Sequence, residues 1–198
     1  MKPVLKQITP LIYEFEWISA ISDELLQSQL FVKANFQQEF NKDLFEIRMG
    51  FKTLAVVLSK PLDSSVIDAW LKSQSPAQSL DPLPERIWQI PVCYSTERGR
   101  DLKALAKQKN FTQEELIDRH SQIMYRLHFY GFLPGFMYLN GLPEELQTAR
   151  KPIPDRAVPA GSIAIGGAQT GIYPSSSPGG WHLIGQTPFS FFDPQQDI

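Results

Sequence analysis

His120, Tyr138, Arg150, Lys151 and Arg156 are the side chains of this 198-residue sequence best suited to chemistry on a polar substrate. His120 ends the helical pattern "TQEELIDRHS". An imidazole there can act as a general acid or base or touch an anion; it can equally be a surface histidine stabilised by the helix dipole. His128 in "YRLHFYGF" and His182 in "GGWHLIG" occupy strand positions. No HxH, HxxxH or HExxH pair occurs, so no metal site is expected. "ARKPIPDRAVPAG" (149–161) places Arg150, Lys151 and Arg156 among prolines and beside glycine turns. Such cations either balance a phosphate or carboxylate or solvate a stiff loop.

"GFLPGFMYLNGLP" (131–143) carries Phe132, Phe136 and Tyr138, which line a pocket or fill a core. Tyr138, with a hydroxyl needing a partner, is the one expected to face a site. Gly166-Gly167 and Gly179-Gly180 permit positive φ or close approach to a ligand, and free N–H groups in such turns bind anions. Tight corners of a β-structure explain the same glycines. There is no P-loop pattern, and Ser162 and Ser175 to Ser177 lack a GxSxG elbow. Cys93, the single cysteine, lies in the apolar run "IWQIPVCYS" and reads as a small buried hydrophobe.

The elements that must position these groups divide the chain at residues 84 and 85. Before the break, "LIYEFEW" (11–17) reads as a strand, and Ser22 caps a helix with apolar residues at 25, 26, 30, 32 and 36. "LFEIRMGFKTLAVVL" (44–58) reads as two strands, and "DSSVIDAWLKSQ" as a helix with Val66, Ile67, Trp70 and Leu71 on one face. "RIWQIPVCY" (86–94) completes a strand–helix alternation, so a ferredoxin-like α+β domain is expected over 1–84. "SQSPAQSLDPLPE" (73–85) is the connecting loop. Beyond it come two short helices, the second with a Thr112–Glu115 capping box, and then short apolar runs cut by glycine and proline. That pattern predicts an all-β barrel or sandwich over 85–198. The ending "FFDPQQDI" predicts a barrel cut short of its last strands.

A net charge of -2 gives no nucleic-acid footprint. One cysteine excludes an intrachain disulfide and suits a reducing compartment. The longest apolar run, "LAVVL", is far below the ~18 residues of a membrane span, and the N-terminus lacks a signal-peptide core. A soluble cytoplasmic protein is expected.

"GFLPGFMYLNGLP", "VPAGSIAIGGAQTGIYP", "SPGGWHLIGQTP" and "FFDP", in this order, resemble the allophanate hydrolase subunit 1 family, which includes 5-oxoprolinase B subunits and KipI-type kinase inhibitors. The likeness is strong over 86–194 and only in outline before. It implies an N-terminal α+β domain and a cyclophilin-like β-barrel. It also implies a companion C subunit that shares ATP and Mg²⁺ with this chain to phosphorylate the lactam oxygen of 5-oxoproline. A separate A subunit is implied to complete hydrolysis to glutamate. Half of such a composite site is expected to be inactive alone. The alternative is a non-catalytic inhibitor docking its barrel on a sensor histidine kinase. The resemblance assigns His120 as acid/base or phosphate contact and Arg150 as charge clamp. Gln169 and Thr170 become polar contacts at a pocket mouth, with Tyr138, Gly167, Tyr173 and Arg156 binding substrate or nucleotide. Lys151 and Asp155 stand where the family usually has arginines, Gln186 replaces a basic residue, and "STERGRDL" replaces a glycine-rich entry. Cationic support for a phosphate is thinner here than in the family pattern.

Overall fold

Alternation builds the first sheet. In the strand Thr53–Leu58, Leu54, Val56 and Leu58 are buried, and in Ile12–Glu16 so are Tyr13 and Phe15. The structure is a computed structural model describing residues 1–74 and 81–192. It divides into two units, Met1–Arg86 and Ile87–Ile198.

The first unit runs β1 (Val4–Thr9), β2 (Ile12–Glu16), α1 (Asp23–Phe40), β3 (Leu44–Met49), β4 (Thr53–Leu58) and α2 (Ser64–Ser73). Its sheet is antiparallel in the order β1-β2-β4-β3. Ser22 accepts a hydrogen bond from the Leu25 N–H and so starts α1 where expected. Phe15, Phe36 and Trp70 pack edge to face in the core, Phe36 and Trp70 with centroids 5.2 Å apart. Leu30 and Val66, placed on apolar faces by spacing, are exposed.

The ferredoxin-like order is corrected. Two hairpins, each followed by a helix, give β-β-α-β-β-α rather than β-α-β-β-α-β. β1 escapes sequence reading because its residues are nearly all exposed and show no alternation. The strand expected at 86–94 reduces to a single bridge from Cys93 to Gln186, with Ile87 and Trp88 exposed. Cys93 is exposed as well, against the buried reading: in this extended segment Val92 and Tyr94 pack inward, and Cys93 between them faces out. Of the connecting stretch 73–85, residues 75–80 lie outside the described residues, as do residues 193–198 of the ending.

The second unit begins with α3 (Leu102–Gln108) and α4 (Gln113–Ser121), the latter held by the full Thr112–Glu115 capping box. Then follow β5 (Arg126–Tyr130), β6 (Met137–Asn140), β7 (Asp155–Val158), β8 (Ser162–Gly166), β9 (Gln169–Ile172), β10 (Ser177–Gly179) and β11 (His182–Gln186). Five form an antiparallel sheet, β11-β8-β9-β6-β5, and β7 pairs with β10 as a ribbon. Register aligns Ala164, Gly171 and Tyr138 across three strands, and Ile165, Thr170 and Leu139 beside them. Alternation therefore gives the sheet two distinct faces. One carries Met137, Ile163, Ile165, Ile172 and Ile184 against Leu102, Leu105 and Leu116. The other carries Phe136, Ala164, Tyr173, Trp181 and Leu183. No helix among the described residues is long and apolar enough to cross a membrane.

Candidate functional site

The second of these faces is built from aromatic rings, and glycines make room for them. Phe136 lies edge-on to Tyr173 at 5.0 Å and to Trp181 at 5.7 Å, and Tyr138 stacks on Phe129 at 4.4 Å. A Cβ on Gly166 would stand 2.4 Å from Trp181 Cγ, and one on Gly179 would stand 2.3 Å from the Tyr173 hydroxyl oxygen. Neither glycine has a positive φ. Readable in the sequence as ligand approaches or as tight corners, both instead make room for a ring. At the rim, Phe132 is 61% exposed, with a left-handed φ of 64° that aromatic residues seldom adopt.

Arg150 completes this face. Its guanidinium carbon lies 5.6 Å from the Trp181 ring centroid, while its side chain is exposed. Burial raises the titration of Tyr138 and Tyr173, and the charge of Arg150 partly offsets that rise for both. Phe136, Tyr173 and Trp181 are themselves buried, so the accessible part of this face is Arg150, the half-buried Tyr138 and the exposed Phe132. A guanidinium beside that aromatic edge suits a small planar anion.

His120 lies behind the sheet. It is 5% exposed, with Nδ1 3.0 Å from the Tyr94 hydroxyl and Nε2 3.0 Å from Thr170 Oγ1. Thr170 donates its hydroxyl to the Ala164 carbonyl at 3.0 Å, so it accepts from His120. The proton then belongs on Nε2, and Nδ1 accepts from Tyr94. Tyr125 donates to the His120 carbonyl at 2.8 Å. Burial lowers the His120 pKa to about 4 and raises that of Tyr94 to about 12. This is a neutral, saturated network that ties α4 to β9.

The expected site residues therefore separate. Tyr138, Arg150 and Tyr173 come together on the aromatic face. His120 and Thr170 belong to the opposite face, so neither shares a recess with Arg150, and Thr170 is no pocket-mouth contact. Gln169 is half-buried opposite Gly166. Gly167 does adopt a positive φ of 66°, but its N–H and carbonyl both bond Thr148, which leaves no donor for an anion. Arg156 is exposed on β7.

Lys151 is committed elsewhere. It sits 2.6 Å from Asp101 and 2.8 Å from Asp155, and Arg100 meets Asp155 at 2.6 Å. Burial would raise the Asp155 pKa, but the bonds from Lys151 and Arg100 outweigh it and hold the carboxyl below its usual range. Sequence reasoning missed Tyr94 and Asp101, which lie 26 and 82 residues from their partners His120 and Leu183. Tyr125, five residues past His120 at the helix exit, was within reach of local reasoning.

Residues 5–198 match the carboxyltransferase domain family, subdomain C and D. The chain belongs to that family. It is 42% identical over 175 residues to the 5-oxoprolinase B subunit of Haemophilus influenzae, covering 86% of this chain and 79% of that protein. It is 40% identical to the protein of the same name from Bacillus subtilis, covering 78% of this chain and 63% of that one. Among solved structures, TTHA0988 superposes with a TM-score of 0.79 at 28% identity over 94% of this chain, which spans 37% of that longer protein. The urea carboxylase of Kluyveromyces lactis shares the fold, with a TM-score of 0.66 at 12% identity over 92% of this chain and 19% of that one. The expected likeness to 5-oxoprolinase B subunits holds, and their very name sets those relatives in a multi-subunit complex. The mixed α/β architecture with antiparallel sheets belongs to this family of structures.

Proposed function

We propose that this chain is the B subunit of an ATP-dependent 5-oxoprolinase and works with a C subunit to phosphorylate the lactam oxygen of 5-oxoproline. An A subunit then completes hydrolysis to glutamate. The observation that carries this reading is the 42% identity, across 86% of the chain, to a 5-oxoprolinase B subunit. The kinase-inhibitor alternative is not favoured, since the curated relatives at about 40% identity carry the oxoprolinase name.

The chemistry explains the need for activation. The lactam carbon of 5-oxoproline resists water because its nitrogen donates into the carbonyl. Attack of the lactam oxygen on the terminal phosphorus of ATP forms an O–P bond, expels ADP, and leaves the oxygen phosphorylated and the ring carbon electrophilic. Arg150 with Tyr138 and Phe132 at the exposed edge of the aromatic face holds the small ring in place; His120 acts from behind as a positioning residue for β9. Among the described residues no group of three or more His, Cys, Asp and Glu stands where it could hold a metal by itself, so Mg²⁺ would come in with the nucleotide phosphates rather than on a cage of this chain. We therefore assign metal and phosphate contacts chiefly to the companion protein. We read the sheet and ribbon of the second unit as the cyclophilin-like barrel, and we place the protein in the cytoplasm, where ATP is available.

The test is co-purification with the companion C subunit, followed by an assay of ATP hydrolysis. Hydrolysis stimulated by 5-oxoproline only when both proteins are present supports the assignment. An assembly that forms but ignores 5-oxoproline, or binds and silences a histidine kinase instead, overturns it.

A further inference from the structure

We propose that Arg150, held over Trp181, recognises the substrate's carboxylate, so that this face selects a five-membered cyclic amide bearing a carboxylate over the same ring without one. The proposal rests on the 5-oxoprolinase reading and adds the group that determines specificity.

Elimination among the neighbouring cations leads there first. Lys151 is shared between Asp101 and Asp155, and Arg100 is paired with Asp155. Arg98 donates to the Gln186 side chain at 2.8 Å. Those two aspartates are neutralised in place, so they impose little repulsion on an incoming anion. Arg150 and Arg156 form no ion pair among the described residues, and of the two only Arg150 lies against a ring of the cluster.

Geometry leads to the same residue. A guanidinium set over an indole keeps its N–H groups pointing outward in its own plane, and that planar fork matches the two oxygens of a carboxylate. Next to it, the half-buried Tyr138 and the exposed Phe132 offer an edge for a flat five-membered ring, backed by the buried rings of Phe136 and Trp181. Phe132 closes the rim in a strained left-handed conformation, edge-on to Phe136 at 5.6 Å and to Tyr173 at 6.5 Å. Strain of this kind persists where surrounding structure imposes it, and it commonly marks ligand clamps. One cation beside a short aromatic edge describes a compact ring acid better than an extended polyphosphate.

The experiment uses the assembly of this chain with its companion and calorimetric binding of 5-oxoproline, of 2-pyrrolidinone (the same ring lacking the carboxylate) and of ATP. Wild type should bind 5-oxoproline at least roughly tenfold tighter than 2-pyrrolidinone, the size of effect a charge-assisted bidentate contact provides. Arg150→Ala should erase that preference while leaving the affinity for ATP within about twofold, and Arg150→Lys should restore only part of it. Loss of ATP affinity in Arg150→Ala would reassign the residue to phosphate and overturn the proposal. So would equal weakening of both ring compounds, or no weakening of either, or a wild-type assembly that binds neither ring. Ring discrimination without stimulated ATP hydrolysis would instead fault the catalytic reading and leave the carboxylate contact standing.

Discussion

His120 is where a single side chain most constrains the rest of its unit. Its imidazole is buried, neutral and bonded on both nitrogens, and its pKa falls from 6.5 to about 4. Above pH 6.5 neither the folded nor the unfolded chain protonates this group. Between pH 6.5 and about 4 only the unfolded chain takes up the proton, so stability falls as pH falls. Over that window the loss is on the order of 3 kcal/mol. Urea unfolding at pH 7.5 and at pH 4.5 should show the loss in wild type, and His120→Gln should lack that share of it. An identical acid dependence in the variant would show that the imidazole does not stay neutral in the fold. This residue also marks the limit of reading a sequence locally. The helix it ends and the Thr112–Glu115 cap were legible, because each needs only neighbours within a turn. Its role was not, since its partner Thr170 lies 50 residues away and is reached only once β8, β9 and α4 are packed.

Among the elements, the aromatic face depends on strands that carry glycine where a side chain would collide with a ring. The density of glycine between 166 and 185 was plain in the sequence, but its purpose was not. Composition cannot distinguish a glycine that bends the chain from one that leaves space, and here Gly167 does the first while Gly166 and Gly179 do the second. β1 was invisible for a related reason: a strand exposed on nearly all its residues lacks the alternation that reveals burial. α1 and β4 were legible because each buries one face only. The space-filling account makes a distinct prediction. Gly166→Ala should destabilise by about 1–3 kcal/mol, because the new methyl has no room beside the indole. Trp181→Leu destabilises by itself, yet it removes the ring that the methyl strikes. The double variant should therefore lose clearly less than the sum of the two, a coupling readable in a double-mutant cycle. Strict additivity would mean that Gly166 matters for its backbone instead.

At the scale of the whole molecule, the charges show what the chain leaves to a partner. The net charge is only -2, and around the candidate site two cations are already answered: Arg100 and Lys151 face Asp101 and Asp155, and Gly167 has spent its backbone N–H on Thr148. Polyphosphates are held elsewhere by clusters of backbone N–H groups with a lysine or arginine directed at them, commonly with a metal. Arg150, exposed beside the ring cluster, is a single cation and no such cluster. The isolated chain should accordingly bind ATP too weakly to register at micromolar concentrations in equilibrium dialysis, and adding the C subunit should raise the bound fraction to saturation. Arg150→Ala should leave that rise intact, because the gain comes from groups the companion contributes. Micromolar binding of ATP to the isolated chain would place the nucleotide on this protein, and a phosphate cradle would then have to be found here rather than across the interface.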